Sequence, residues 1–547
     1  MKNKTLLIVL FSLVAISLTA CDKLFSPIFG DSSNAGYSYG PAKEESGFLP
    51  DPSSDVSTPQ ASELKANKAS YTYSDFIDNN LYAISSTPSV GKAHLLIIPV
   101  WFADSDTFIT ADKKEDVRSD IENSYFGNDA DVWRSVKTFY EEESHGVLSI
   151  SGTVSAWYER SEGYETFAID KTTAKTCQLV KDATNWYFNN HPSEKRTAYD
   201  CDNDGYLDGV MLIYAAPDHK ALNNSQYDNL WAYCYWIQEP SNQNPSNPGL
   251  NAFFWASYDF MYGKNVVNNR TGKTRYYSGD TSQSRLDTHT FIHEMGHLFG
   301  LEDYYDYSNH GYLPAGAFSM QDYNVGGHDP FSSFALGWGK AYVPTSSAVI
   351  NLKPFTSSGE MILLSPSFNK SNSPFDEYLL LEYYTCDGVN AFDSIYQYMG
   401  KYPKGSKEAG IRLWHVDARL LYTRTGDFSA NNVTTNPRIS SGRVVLMMSN
   451  TYNDNKAETK DYLSPLGKDY ADYNLLQLIR NDTASSYRPF DTFSSNSLFK
   501  AGNSFSMSTY ARQFVNSGKL NDKNDLGFTF TVNACNSTYA SISINKV

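Results

Sequence analysis

The chain has 547 residues, with 45 Lys and Arg against 61 Asp and Glu, for a formal net charge of −16. That balance excludes a nucleic-acid binder, because phosphate recognition needs a basic surface. At 41% hydrophobic and 15% aromatic residues, there is enough apolar material for more than one sizeable core.

Lys2 and Lys4 precede an apolar run from Leu6 to Leu18, followed by Thr19, Ala20 and Cys21. A charged start, a short apolar core and small residues before a cleavage point make residues 1–20 an expected export signal. The run is too short for an ordinary membrane span. Leu18-Thr19-Ala20-Cys21 resembles a bacterial lipobox, which implies that Cys21 becomes a lipidated N-terminal residue. The expected location is the bacterial cell surface or outer membrane, or the medium after release, with the lipid as the membrane contact. Residues 21–90 read as a flexible tether rich in Ser, Pro and Gly, in which Ser70 to Ser89 suits either a pro-segment or a first element of the fold. The five remaining cysteines, Cys177, Cys201, Cys234, Cys386 and Cys535, are odd in number and scattered, so no disulfide framework is expected.

Ordered sequence begins at Ala93–Phe102, a continuous apolar run of the kind that forms a buried strand. Val132–Glu143 has helical periodicity, and Val147–Gly152 reads as a strand. Asp200, Asp202, Asp204 and Asp208 then occupy positions 1, 3, 5 and 9 of a calcium-type loop, with Gly205 at position 6 and the Tyr206 carbonyl as a further oxygen. Position 12 is Met211 and the next segment, Gly209 to Tyr214, looks like a strand, so this is not an EF-hand. An acidic surface turn is the plainer reading; a Ca2+ site that stiffens the loop is the expectation.

The sharpest signal is His293-Glu294-Met295-Gly296-His297-Leu298-Phe299-Gly300-Leu301-Glu302-Asp303. Histidines at i and i+4 share one helical face and can reach a single metal ion. Phe291, Ile292, Met295, Leu298 and Phe299 form an apolar stripe away from that face. Glu294 lies beside it, placed to activate a water rather than to ligate. Gly300 permits the left-handed turn that ends a helix and brings the chain back. The return carries a third ligand to Zn2+, and the three-residue step favours Asp303 over its neighbour Glu302. His289, one turn earlier, suits a supporting or surface role better than ligation.

HExxHxxGxxD resembles the metzincin-type zinc peptidases, and in particular the immune-inhibitor-A family of secreted bacterial metallopeptidases. The resemblance extends to Phe139–Leu148, to Ala156-Trp157-Tyr158, and to Ser319-Met320-Gln321-Asp322-Tyr323, Pro330-Phe331 and Leu336-Gly337-Trp338. It implies a zincin-like α+β catalytic domain over residues 91–343, with Met320 as an apolar floor beneath the metal. Several metzincins carry a tyrosine two residues after that methionine. Here the position is Asp322, and Tyr323 is the neighbouring candidate for stabilising an oxyanion.

From residue 344 to 547, short segments separated by turn residues suggest an all-β, sandwich-like region: Met361–Leu364, Tyr378–Tyr383, Ile411–Val416, Val444–Met447 and Phe528–Val532. Glu382, His415 and Asp417 fit either a second metal site or ordinary strand alternation. The function expected from these readings is a surface-anchored or secreted zinc endopeptidase acting on proteins or peptides. The alternative is a calcium-stabilised surface-binding lipoprotein whose peptidase site is vestigial.

Overall fold

The computed structural model describes residues 87–547 except 129–133, 171, 228, 238–241, 263–264, 268–273, 277–285, 302, 306–311, 367–376, 395–402, 418–473 and 485–490. Before residue 87 it describes only the paired two-residue strands Gly36–Tyr37 and Ala83–Ile84. The export signal, Cys21, most of the tether, Glu302 and the strand expected at Val444–Met447 lie outside the described residues. Among the described residues no helix is long and apolar enough to cross a membrane.

The architecture is mixed α/β with several sheets. The first sheet is built from β1 (Gly91–Trp101), β2 (Leu148–Val154), β3 (Val210–Tyr214), β4 (Tyr233–Trp236) and β5 (Ala252–Ser257). Their order is β2-β1-β3-β5-β4, and the short strand Tyr158–Glu159 pairs with the end of β1. All pairs are parallel except β4 with β5. Parallel neighbours need long crossovers. These are supplied by α1 (Lys114–Phe126) and α2 (Val136–Glu143) between β1 and β2, and by α3 (Thr173–Asn190) between β2 and β3. Every residue of β3 and β5 is buried, which is why β3 reads as an unbroken apolar run. The helix expected from Val132 begins at Val136, because Ser135 takes the N-cap position. The Ser135 hydroxyl accepts from the Thr138 amide at 3.1 Å, and Thr138 Oγ1 accepts from the Ser135 amide at 2.9 Å.

The helix carrying the HExxH motif, α4 (His289–Leu298), packs on β4 and β5. After α5 (Pro330–Ala335) the chain enters a five-stranded sheet, β6 (Lys340–Tyr342), β8 (Glu360–Leu364), β9 (Glu377–Tyr384), β10 (Gly410–Asp417) and β11 (Leu476–Ile479), in that order. Only β6 and β8 run parallel. A second sheet joins β7 (Ala348–Leu352), β14 (Ala540–Lys546), β13 (Phe528–Cys535) and β12 (Ser504–Phe505), all antiparallel.

These sheets differ in how far they alternate. β13 and β14 alternate buried and more exposed residues, whereas β8 to β11 are buried throughout. The reason is that both faces of β9 and β10 are covered. On one face Phe334 meets Tyr378, and the Arg412 guanidinium stacks on Phe318 and Tyr384 at 4.4 and 4.3 Å. On the other face the Tyr383 hydroxyl donates to the Asn536 carbonyl at 2.6 Å, and Phe499, bridged to Ile411, packs on Phe530. The residues around the HExxH helix and this sheet therefore share one hydrophobic core.

Within that core Arg412 Nε meets Glu382 Oε1 at 2.9 Å, and the Trp414 indole donates to the same oxygen at 2.8 Å. Removing one partner of such a buried pair leaves an uncompensated charge, which costs about 3–5 kcal/mol. Glu382→Leu should therefore lower unfolding stability by that amount in denaturant titration. A loss below about 1 kcal/mol would mean that the pair is dispensable.

Candidate metal centre

The motif helix is buried on nearly every side, not only along its apolar stripe. Phe291 stacks on Tyr125 and meets Phe254 edge-on, while Phe299 packs against Tyr140 and Trp338. Gly296 is needed where the helix is crossed by the loop that follows, since a Cβ there would collide with the buried Gln321 amide. Gly300 has φ 94°, the left-handed conformation that ends the helix and returns the chain.

That return brings Asp303 to the histidines. His293 Nε2 and His297 Nε2 lie 3.1 and 3.4 Å from Asp303 Oδ1, and the three ligand atoms fall within 4.8 Å of one another. Asp303 has no exposed surface, and His293 and His297 are 8% and 4% exposed. Each imidazole is held from behind: His293 Nδ1 contacts the Met320 carbonyl and His297 Nδ1 the Leu301 carbonyl, both at 2.8 Å. A carbonyl can only accept, so each ring carries a proton on Nδ1 and turns Nε2 toward Asp303.

Three acceptors converging in a dry interior repel one another unless a positive charge sits among them. The electrostatics of the pair carry the same message. Burial disfavours a charged His297, yet the Asp303 carboxylate and the hydrogen bonds around it push the imidazole up to about 10. Burial would raise Asp303, but His297 and His293 outweigh it and hold the carboxyl well below the ordinary range. Two nitrogens and one carboxylate with their backs fixed by main-chain carbonyls thus fit a divalent metal ion.

Glu294 is 2% exposed, and its Oε2 has no hydrogen-bond partner among the described residues. Burial raises its carboxyl, against the pull of His297 and His293. His289 is buried, not on the surface: its Nε2 contacts the Asn324 carbonyl at 2.7 Å, and burial lowers its pKa to about 3. It stacks 6.1 Å from His293 as a neutral support.

The loop beneath the metal residues is fixed by its own polar contacts. Met320, with no exposed surface, donates its amide to the Gly327 carbonyl at 3.2 Å. Ser319 and Ser332 hydroxyls both donate to Asp329 Oδ2. Asp322 is buried with neither carboxylate oxygen hydrogen-bonded among the described residues, and burial pushes its carboxyl well up. Tyr323 stacks on Tyr305 at 4.7 Å, and it is Tyr305 that stacks on His293 at 6.4 Å. The oxyanion candidate is thus one ring removed from the metal residues.

Three supporting residues escaped the sequence reading. The Tyr140 hydroxyl donates to the Ile292 carbonyl at 2.6 Å, and Glu143 Oε1 accepts from the His328 amide at 2.8 Å. Glu143 occupies the i+7 place of the buried stripe Val136, Phe139, Tyr140. A carboxylate on an apolar stripe is a signal that could have been noticed. The Cys234 thiol donates to the Glu294 carbonyl at 3.0 Å, which nothing in the local sequence announces.

The acidic loop is only partly assembled as expected. Asp200, Asp202 and Asp208 bring carboxylate oxygens within 4.8 Å of one another. Asp204 instead accepts from the Tyr206 amide at 2.7 Å, and Tyr206 forms a bridge to Gly249. Asn203 and Gly205 take φ 60° and 91°, which folds the loop so that the Asp204 and Gly205 amides donate to Asp200. In the five-stranded sheet, Glu382 pairs with Arg412, His415 Nε2 with Glu377 Oε1 at 2.8 Å, and Asp417 accepts from Asn521 at 2.9 Å. These three residues have separate partners and do not form a second metal cluster.

Burial raises Asp202, Asp204 and Asp208 to about 6, 8 and 7. A carboxyl raised on folding contributes stability below its unfolded pKa and loses it as pH climbs through the folded value. Metal-depleted protein should thus unfold at a lower temperature at pH 8 than at pH 5, and adding a divalent cation should reverse most of that loss. Identical unfolding temperatures across this range, with and without cation, would rule out the loop as a charge-demanding site.

Compared with known proteins, the chain matches no family model and no curated protein.

Proposed function

We propose that this protein is a zinc-dependent endopeptidase, a member by resemblance of the immune-inhibitor-A type, with a zincin-like catalytic region followed by a β-sandwich-like one. The observation that carries the reading is the convergence of His293 Nε2, His297 Nε2 and Asp303 Oδ1 beside the buried carboxylate of Glu294. A mixed nitrogen and oxygen set of three, with further positions for water and substrate, is the donor set of catalytic zinc. Zinc bound there supplies Lewis-acid polarisation of a scissile carbonyl and acidifies a water.

The chain's own groups then do the proton chemistry. Glu294 accepts the proton of the attacking water and afterwards delivers it to the leaving amine. Met320 O and Leu301 O hold the two imidazoles in the one tautomer that leaves Nε2 free to ligate. β4 ends the first sheet among the described residues and packs on α4. Its outer backbone edge can take an extended peptide as an added strand beside the metal residues.

The acidic loop is proposed as a structural Ca2+ site, since its converging donors are all hard carboxylate oxygens. Export and lipidation at Cys21 belong to the same reading and rest on the N-terminal sequence alone.

Glu294→Ala should leave zinc content unchanged while casein cleavage falls by roughly 10²- to 10⁴-fold, the usual contribution of a general base. Zinc content by metal analysis and casein hydrolysis are measured on the same preparation. A variant that cleaves as fast as the wild type would sink the mechanism, and a wild type free of zinc would sink the metal assignment.

A further inference from the structure

The last carbonyls of a helix have no partner within it and must be served from elsewhere. At the end of α4 the Met295, Gly296 and His297 carbonyls accept from Phe299, Leu301 and Gly300, at 3.2, 3.0 and 2.8 Å. The following carbonyl, Leu298, sits where the chain turns away at Gly300 to bring Asp303 to the imidazoles. It accepts from the Thr87 amide at 2.9 Å, a donor from far earlier in the chain.

Thr87 has no exposed surface, and its hydroxyl donates to the Asp208 carbonyl. Two residues on, the Ser89 carbonyl accepts from the Trp338 indole at 2.6 Å, and Trp338 packs on Phe299. Residues 87–90 thus form a strap between the acidic loop and the end of the metal helix. Thr87 and Ser89 are both buried in this strap.

We propose that Thr87 is a positioning residue of the metal centre: its backbone amide caps α4 at Leu298 and so holds the turn that presents Asp303. This rests on the reading of His293, His297 and Asp303 as zinc ligands. It also bounds any activating cleavage, because a cut before Thr87 leaves the cap in place and a cut after it strips the cap away.

The test uses the full-length, zinc-loaded chain and follows zinc transfer to a colorimetric chelator well below the unfolding temperature. Thr87→Pro removes the amide donor, whereas Thr87→Ala keeps it. Losing the donor and stranding a buried carbonyl should speed zinc release roughly tenfold in Thr87→Pro, with Thr87→Ala within about twofold of wild type. Equal release from the two variants would overturn the cap. Should Thr87→Pro fail to fold, amide exchange in the wild type decides: withdrawing zinc should accelerate exchange at Thr87 and leave Ile97 in β1 unchanged. Unaltered exchange at Thr87 would overturn the proposal, while a wild type that retains no zinc would overturn the metal centre beneath it.

Discussion

A carboxylate with no access to water, facing two imidazole nitrogens, is the constraint around which this molecule is organised. Asp303 cannot be ionised in that position without positive charge nearby, and the two histidines cannot approach it as neutral acceptors without a shared cation. Whatever fixes the imidazole tautomers therefore fixes the demand for a positive charge, which a proton or a metal ion can meet. Two main-chain carbonyls do so, those of Met320 and Leu301. The site is thus specified by backbone positions as much as by its three side chains.

Holding two carbonyls in place takes long-range structure. Leu301 is set by the hydrogen bond its amide donates to the Gly296 carbonyl, which the turn at Gly300 permits. Met320 lies in a loop pinned by Asp329, by Glu143 through the His328 amide, and by the Gln321 carbonyl accepting from Tyr304. Behind that loop Phe318 covers Arg412 of the five-stranded sheet. The sheet is buried on both faces for this reason: one face is the support of the metal-site loop. A site and a seemingly separate β region are joined by a common core.

What was legible in the sequence follows from this division. His293, Glu294, His297, Gly300 and Asp303 lie within eleven residues, so helix periodicity and one glycine turn suffice to bring them together. The buried strands β1 and β3 could be read because their runs are apolar on both faces. Thr87, Tyr140 and Cys234 could not be read as supports, because each acts through a main-chain carbonyl or amide far away in sequence, and Glu143 showed only as a carboxylate on an apolar stripe. Backbone groups carry no residue-specific signature. The alternation expected of β9 and β10 fails for a related reason: periodicity reports how many faces are covered, and the covering elements are distant. Asp204 departs from the expected ligand set because a local amide, that of Tyr206, competes successfully for its carboxylate.

The two acidic clusters answer the same electrostatic problem in different ways, and the difference sorts their partners. At the metal centre the imidazoles can bear charge, so Asp303 stays ionised and His297 takes up the compensating proton when no ion is present. In the loop, Asp200, Asp202 and Asp208 meet backbone amides, the Cys201 side chain and one another, with no cationic side chain among the described partners, and burial raises the carboxyls of Asp202 and Asp208. Nitrogen donors with a single carboxylate suit a borderline ion such as zinc, while carboxylates alone suit a hard ion such as calcium. Thr87, bonded to Leu298 at one and Asp208 at the other, spans the two. A displacement of either cluster must therefore move a buried residue that the other also holds.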